Sequence, residues 1–222
     1  MKFVVDDNWP VLAVGQFGQR PRLCLPTGKT PIPFYDTLPA NALNQTTVFL
    51  LDEFGLAAGS PARCDVMLRS ALLDRVPARR FERPMTEADD LESECARYHD
   101  LVSVEGLDLA VLGLGRNGHL GLNEPGSTPD ATTRVVELAE ETSEGARSYG
   151  ADPPPTWGIA LGLAEILESK EIWLLVSGEA KAKVLEAAVL GPTTSKLPAS
   201  FLQTHANVTV FADRAAAAAL SV

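Results

Sequence analysis

Two acidic residues, Asp52 and Glu53, directly follow an apolar run over residues 47–51. A carboxylate at the end of a buried strand can act as a general base, because burial moves its pKa toward neutral pH. Taken in isolation, such a residue is more often a helix-capping or solvent-facing turn acid. The pair is therefore a candidate site of proton transfer.

His119 ends a glycine-rich stretch, Gly-Leu-Gly-Arg-Asn-Gly-His, and Glu124 follows it five residues later. An imidazole and a carboxylate at this spacing can meet across a turn and work as an acid/base pair. A solvated loop histidine is the alternative. The stretch also has the G-x-G-x-x-G spacing of dinucleotide-binding loops, but the segment before Pro125 is too short for the helix that such a loop requires.

A second loop, over residues 26–31, has the composition of a phosphate cradle. Its N–H groups and hydroxyls lie before a helix predicted to begin at Pro31. It is not a P-loop, because position 23 is Leu where that motif requires Gly. An ordinary strand-to-helix turn is the alternative. The candidate phosphate-binding residues of this loop are Thr27, Gly28, Lys29 and Thr30.

Lys181 follows Gly178 in the first turn of a predicted helix. A lysine at that position opposes the helix dipole unless an anion is also bound there. We therefore predict an anion-binding role for Lys181.

Strand-length apolar runs alternate with helical segments along the chain, which predicts an α/β fold. We expect one doubly wound, Rossmann-like domain over residues 1–222, with a mostly parallel sheet and helices on both faces. Four of the five predicted strands run directly into a segment rich in glycine and functional side chains. Parallel strands end at one edge of a sheet, so these segments should converge there. The predicted strands are Arg22–Leu25, residues 47–51, residues 107–112, Ile172–Val176 and residues 208–211.

Three helix starts are predicted from capping residues. Ser60 and Pro61 read as the cap and first residue of a helix that extends to about Leu73. Thr86 with Asp89 resembles a capping box, and Asp213 caps a tail that is helical by its alanine content. 

Composition narrows the classes of partner. The 222 residues include 19 Lys and Arg against 29 Asp and Glu, a net charge of -10, which disfavours nucleic acid. The three cysteines lack CxxC spacing, so neither a disulfide framework nor a metal site is expected. No apolar run approaches the ~18 residues of a membrane helix, and we expect a cytoplasmic protein without a membrane partner. Both monomer and homo-oligomer remain open.

The sequence contains five motifs in this order: LPTGKTP, LLDEF, LGLGRNGHLGLNEPG, LVSGEAK and PASFLQTH. Together they resemble the amino-sugar phosphate deaminase (isomerase) family, and the resemblance extends over residues 22–210. Phe54 and the Asn-Glu-Pro-Gly segment that begins at Asn123 favour deaminases over the related 6-phosphogluconolactonases. Within that family, the amino-acid sequence around Cys64 and over residues 198–202 most resembles the galactosamine-6-phosphate branch.

The resemblance implies a cofactor-free conversion of glucosamine or galactosamine 6-phosphate to a ketose 6-phosphate and ammonia. It implies that Asp52 is the base that moves a proton from C2 to C1, and that His119, oriented by Glu124, opens the ring. It also implies that the residue 26–31 loop and Lys181 bind the phosphate. A lactonase acting on a sugar-acid phosphate and a non-catalytic sugar-phosphate sensor are the alternatives.

The sequence departs from the family pattern in four places. Asn117 replaces an acid found in some ring-opening relays, so the relay should depend on Glu124. Lys29 adds a positive charge to the loop, and Arg147 lies near the position of a phosphate-binding arginine. The segment between Val5 and Arg22 is short for a crossover helix, which predicts a partly exposed sheet face or altered assembly.

Overall fold

A seven-stranded parallel sheet forms the centre of the protein in a computed structural model that describes residues 1–220. The strand order is β1-β10-β9-β6-β2-β3-β5, and every neighbouring pair is parallel. The strands of this sheet are β1 (Lys2–Val5), β2 (Arg22–Leu25), β3 (Thr47–Leu50), β5 (Arg80–Glu82), β6 (Leu109–Gly113), β9 (Ile172–Val176) and β10 (Val208–Ala212).

A second, three-stranded antiparallel sheet contains β4 (Asp52–Phe54), β7 (Arg134–Glu137) and β8 (Trp157–Ala160), in the order β4-β8-β7. The chain passes between the two sheets at Leu51. The Leu51 N–H donates to the Leu25 carbonyl at 3.0 Å, and the Leu51 carbonyl accepts from the Leu161 N–H at 3.0 Å. Asp52 is therefore the first residue of the second sheet.

Seven α-helices pack around the sheets: α1 (Trp9–Phe17), α2 (Ile32–Thr37), α3 (Cys64–Leu68), α4 (Leu91–Ser103), α5 (Glu140–Gly145), α6 (Leu163–Leu167) and α7 (Ala182–Leu190) within residues 1–220. A π-helical turn, Arg69–Leu73, continues α3. Three 3-10 helices cover Ala146–Tyr149, Glu179–Lys181 and Pro198–Thr204.

Side chains of the parallel strands alternate between two apolar cores, as the strand repeat requires. Leu23 and Leu25 pack with Trp9 of α1 in one core. Cys24 packs with Tyr98 of α4 in the other. This arrangement confirms the predicted doubly wound architecture with helices on both faces.

The five predicted strands are all present. β2 and β9 have the predicted bounds, and the other three differ by one or two residues at an end. The five predicted strands did not include β1, β4, β5, β7 and β8, which are only three or four residues long. Such short segments carry too few residues for a recognisable alternation of apolar and polar side chains.

The predicted helix start at Ser60 and Pro61 is wrong, because α3 begins at Cys64. The cap of α3 comes from Glu53 of β4, which precedes Cys64 by 11 residues. The buried Glu53 carboxylate accepts the N–H of Cys64 at 2.8 Å and the N–H of Asp65 at 2.9 Å. These are N–H groups at the helix start that have no partner within the helix.

The other two helix starts also need correction. Helix α4 begins at Leu91 and is capped by Asp90, whereas the Thr86 hydroxyl donates to the Phe54 carbonyl. Residues 214–219 form turns rather than a helix. Asp213 does accept the Ala216 N–H, but its carboxylate also accepts the Gly178 N–H after β9, which diverts it from a simple cap.

The short N-terminal crossover contains the nine-residue helix α1, which buries Trp9, Ala13 and Phe17. Strand β1, next to this crossover, is only partly buried, and its Lys2 is exposed. Within residues 1–220, none of the helices has the length and apolarity needed to cross a membrane.

Glu53 provides a test of this fold. Replacing it with Gln removes one acceptor oxygen and places an amide donor among the N–H groups of Phe54, Cys64 and Asp65 and the Arg63 guanidinium. We expect Glu53→Gln to lower the free energy of unfolding by about 2–4 kcal/mol, measured by urea denaturation. The control, Glu105→Gln, changes a 70% exposed side chain and should stay within ~0.5 kcal/mol of wild type. Equal stability of the two variants would contradict this role for Glu53.

Candidate active site

The loops after several strands meet at one edge of the parallel sheet. The strand order reverses between β2 and β6, since β3 and β5 lie on one side and β9 and β10 on the other. Such a reversal opens a crevice outside the carboxyl ends of the strands. The Lys181 Nζ donates to the Leu114 carbonyl at 2.6 Å, which joins the loops after β9 and β6.

Asp52 lies at the base of this crevice, with 6% of the residue exposed. Burial raises the pKa of its carboxyl to about 6, while the Cys64 thiol and His119 act in the opposite direction. A Cβ on Gly121 would lie 2.7 Å from the Asp52 Oδ2, so only glycine permits this close approach. The structure thus provides a buried carboxylate whose pKa is close to neutral.

Cys64 connects Asp52 to the predicted phosphate loop. Its thiol, buried at the start of α3, interacts with the Asp52 carboxylate and with the Thr27 hydroxyl. Glu53 holds the Cys64 backbone in place through the capping bond described above. The sequence analysis connected Cys64 only with a branch of the family. Its site partners, Asp52 and Thr27, lie outside the helix that contains Cys64, so local sequence did not reveal them.

His119 and Glu124 do meet across the turn. The His119 Nδ1 lies 3.4 Å from the Glu124 Oε2, and the Asn117 Nδ2 donates to the same oxygen at 2.8 Å. The Asn117 Oδ1 accepts the His119 N–H at 3.1 Å. Although burial opposes ionisation, hydrogen bonds with His119, Thr142 and Asn117 lower the pKa of Glu124. Glu124 is therefore an anion that orients the imidazole.

Three further features complete this group. The Thr142 Oγ1 lies 3.4 Å from the His119 Nδ1, a contact that the sequence did not suggest. The Glu124 Oε1 is buried and has no hydrogen-bond partner among residues 1–220. A Cβ on Gly115 would lie 2.4 Å from the His119 ring, so the glycine at this position allows the ring to pack against the backbone.

The loop over residues 26–31 lies at the same edge. The Tyr35 hydroxyl donates to the Pro26 carbonyl at 2.7 Å and fixes the start of the loop. Gly28 has a φ of +94°, a conformation that side chains disfavour. Thr27, Gly28 and Thr30 are half-buried, and Lys29 is exposed.

Lys181 is a half-buried cation beside this edge. Burial and the nearby Arg116 lower the pKa of Lys181, and Glu141 opposes that change. Arg116 was part of a predicted motif without a role of its own. Together Lys181 and Arg116 provide local positive charge within a protein of net charge -10.

Arg147 is placed differently. Its guanidinium pairs with Glu144 at 2.8 Å and with Asp152 at 3.5 Å, and about half of its side chain is exposed. The residue of the same 3-10 helix that reaches the phosphate loop is Tyr149, whose hydroxyl oxygen lies 3.4 Å from the Cβ position of Gly28. These partners of Arg147 lie outside the residue 26–31 loop, so they do not support the predicted phosphate-binding role of Arg147.

Residues 1–220 contain no group of three or more His, Cys, Asp or Glu side chains arranged to hold a metal ion.

Comparisons with known proteins agree with the geometry. The family described as glucosamine-6-phosphate isomerases/6-phosphogluconolactonase matches residues 13–211. A glucosamine-6-phosphate deaminase of Lactobacillus delbrueckii subsp. bulgaricus is 40% identical over 203 residues, with 89% of this chain and 87% of the relative covered. One of Rhodopirellula baltica is 41% identical over 210 residues, with coverage of 89% and 84%.

Solved structures show the same relationship. A monomeric glucosamine-6-phosphate deaminase matches with a TM-score of 0.87 and 33% identity, covering 99% of this chain and 100% of that chain. A 6-phosphogluconolactonase from Trypanosoma cruzi has a TM-score of 0.79 at 18% identity, covers 100% of this chain and 97% of that chain, and shares the fold. The match over most of the chain, with relatives above 30% identity, shows that this protein belongs to the glucosamine-6-phosphate isomerase/6-phosphogluconolactonase family.

Proposed function

We propose that the protein is an amino-sugar phosphate deaminase that converts glucosamine 6-phosphate to a ketose 6-phosphate and ammonia. The observation that carries this proposal is the buried Asp52 carboxylate, with a pKa of about 6, beside His119. A base for a carbon-bound proton and an acid/base for ring opening are the two groups that this reaction needs. The deaminase relatives support glucosamine 6-phosphate as the substrate.

The His119 imidazole accepts the proton of the C1 hydroxyl and gives a proton to the ring oxygen, so the bond between C1 and the ring oxygen breaks and a C1 aldehyde forms. Glu124 and Asn117 hold the imidazole in place for this step. Because Asn117 can orient His119 by a hydrogen bond but cannot share its proton, Glu124 supplies the charge that stabilises the imidazolium. The Thr142 hydroxyl of α5 also lies beside the His119 Nδ1.

Asp52 then takes the proton from C2 of the open chain, and the electrons of that C–H bond form the C1–C2 double bond of an enolamine. The π electrons of the C1 carbonyl move to its oxygen, which takes a proton from the substrate ammonium group. The same carboxyl returns the proton to C1, which leaves a C2 imine. Water adds to C2, the C–N bond breaks and ammonia leaves. A carboxyl with a pKa near neutral suits both halves of this transfer, because it must accept and release a proton in turn.

The substrate phosphate occupies the loop that contains Thr27, Gly28, Lys29 and Thr30, with Lys181 alongside. The loop offers backbone N–H groups and hydroxyls, and Lys181 adds a positive charge at the same edge of the sheet. These donors bind an anion locally despite the overall negative charge.

The first prediction about the reaction tests Asp52 as the base that accepts the C2 proton. Asp52→Asn keeps the shape of the side chain but cannot accept the C2 proton, so kcat for ammonia release should fall by roughly 10²–10⁴-fold. The matched control Asp36→Asn alters an exposed carboxylate on α2 and should keep wild-type turnover. Ammonia release is measured by a coupled assay and folding by thermal unfolding. Near-normal turnover in a folded Asp52→Asn variant would disprove the assignment.

The second prediction concerns pH. Asp52 must be ionised to act as a base, so kcat/KM should fall below about pH 6 and level off above it. The Cys64 thiol lowers the pKa of Asp52, so Cys64→Ala should move this acid limb upward by about half to one pH unit. Cys64→Ser keeps a donor and should stay near the wild-type profile. An unmoved limb in Cys64→Ala would show that another group, such as the substrate phosphate, sets it.

The third prediction concerns the substrate. We expect the protein to release ammonia from glucosamine 6-phosphate. Galactosamine 6-phosphate is tested in parallel, because two segments of the sequence resemble the galactosamine-6-phosphate branch of the family. We expect no acceleration of 6-phosphogluconolactone hydrolysis, since Phe54 and the Asn123–Gly126 motif follow the deaminase pattern. Faster lactone hydrolysis without ammonia release from either amino sugar would favour the lactonase. Binding without turnover of any of the three would favour the sensor.

A further inference from the structure

The Tyr149 side chain contacts the loop over residues 26–31. It ends the 3-10 helix Ala146–Tyr149, and its half-buried ring packs against the core that contains α3. Its hydroxyl oxygen lies 3.4 Å from the Cβ position of Gly28 and interacts with the backbone N–H of Lys29. The Lys29 Nζ lies 6.0 Å from the centre of the tyrosine ring. A phenol hydroxyl therefore lies beside the loop N–H that a bound anion would accept.

The segment over residues 140–149 also contacts other parts of the site. Thr142 lies against His119, and the carboxylate of Glu141 acts on Lys181. At the end of the segment, a Cβ on Gly150 would lie 3.1 Å from the Pro61 ring, which shows how closely the backbone packs there. These contacts hold the segment without help from the Tyr149 hydroxyl.

The hydroxyl has the chemistry of a phosphate ligand. Burial raises the pKa of Tyr149, so the phenol keeps its proton at neutral pH. A neutral hydroxyl can accept a hydrogen bond and, after rotation of its proton, donate one to an anion. Lys29, which departs from the family pattern, places a cation over the same ring. The lysine and the tyrosine thus form a pair on two sides of the loop.

We infer that Tyr149 is a phosphate-binding residue supplied by the segment over residues 140–149. When a phosphate enters the loop, the Lys29 N–H turns from the phenol oxygen to a phosphate oxygen, and the Tyr149 O–H donates to the phosphate. The exchange leaves neither group unpaired. This inference rests on the proposed function for the identity of the substrate, but not for the binding of phosphate itself.

The test uses inorganic phosphate as the probe and the complete protein. We expect Tyr149→Phe to weaken phosphate binding about tenfold in calorimetry, since it removes one hydrogen bond to a charged group. The KM for glucosamine 6-phosphate should rise by a similar factor, with kcat within about twofold of wild type. The matched control Tyr98→Phe removes a hydroxyl that bonds the Leu50 carbonyl in the other core, and it should leave phosphate affinity unchanged.

Three results would overturn the inference: unchanged phosphate affinity in a folded Tyr149→Phe variant, tighter binding in that variant, or no phosphate binding by the wild-type protein at millimolar concentration. Tighter binding would mean that the phenol competes with the anion. Failure of the proposed function has a different signature: wild type would bind phosphate and respond to Tyr149→Phe, yet release no ammonia from either amino-sugar phosphate.

Discussion

Leu51 donates its N–H to Leu25 in the parallel sheet and receives the N–H of Leu161 in the antiparallel sheet. This pair of hydrogen bonds redirects the chain from one sheet to the other. Asp52 consequently pairs with Ala160 in the second sheet and is buried at the junction. The raised pKa of Asp52 follows from this burial, so the chemistry at the crevice depends on the branching of the backbone.

Successive residues of a strand point to opposite sides. Asp52 therefore faces His119, while Glu53 faces the start of α3, where it accepts the N–H groups of Cys64 and Asp65. The capped helix start presents the Cys64 thiol to Asp52 and Thr27. Two adjacent carboxylates thus have different duties: one is available for proton transfer, and the other holds the scaffold around it.

The electrostatics of the site are local. The protein has a net charge of -10, yet Lys181, Arg116 and Lys29 lie at or beside the crevice edge. Loop N–H groups add donors that carry no net charge. Within residues 140–149, Thr142 contacts His119, the Glu141 carboxylate raises the pKa of Lys181, and Tyr149 contacts the residue 26–31 loop. An anionic substrate meets a small positive pocket, while the acidic exterior suits its amino group.

The sequence by itself determined the alternation of strands and helices, the edge at which the motifs converge, and the His119–Glu124 pair, because these depend on periodicity and short spacing. Only the tertiary structure decided that Glu53 caps α3, that Cys64 bridges Asp52 and Thr27, and that Tyr149 rather than Arg147 reaches Gly28. It also replaced the expected helix start at Ser60 and the helical tail after Asp213 with turns. Each of these outcomes is set by partners distant along the chain, which local propensity and spacing cannot specify.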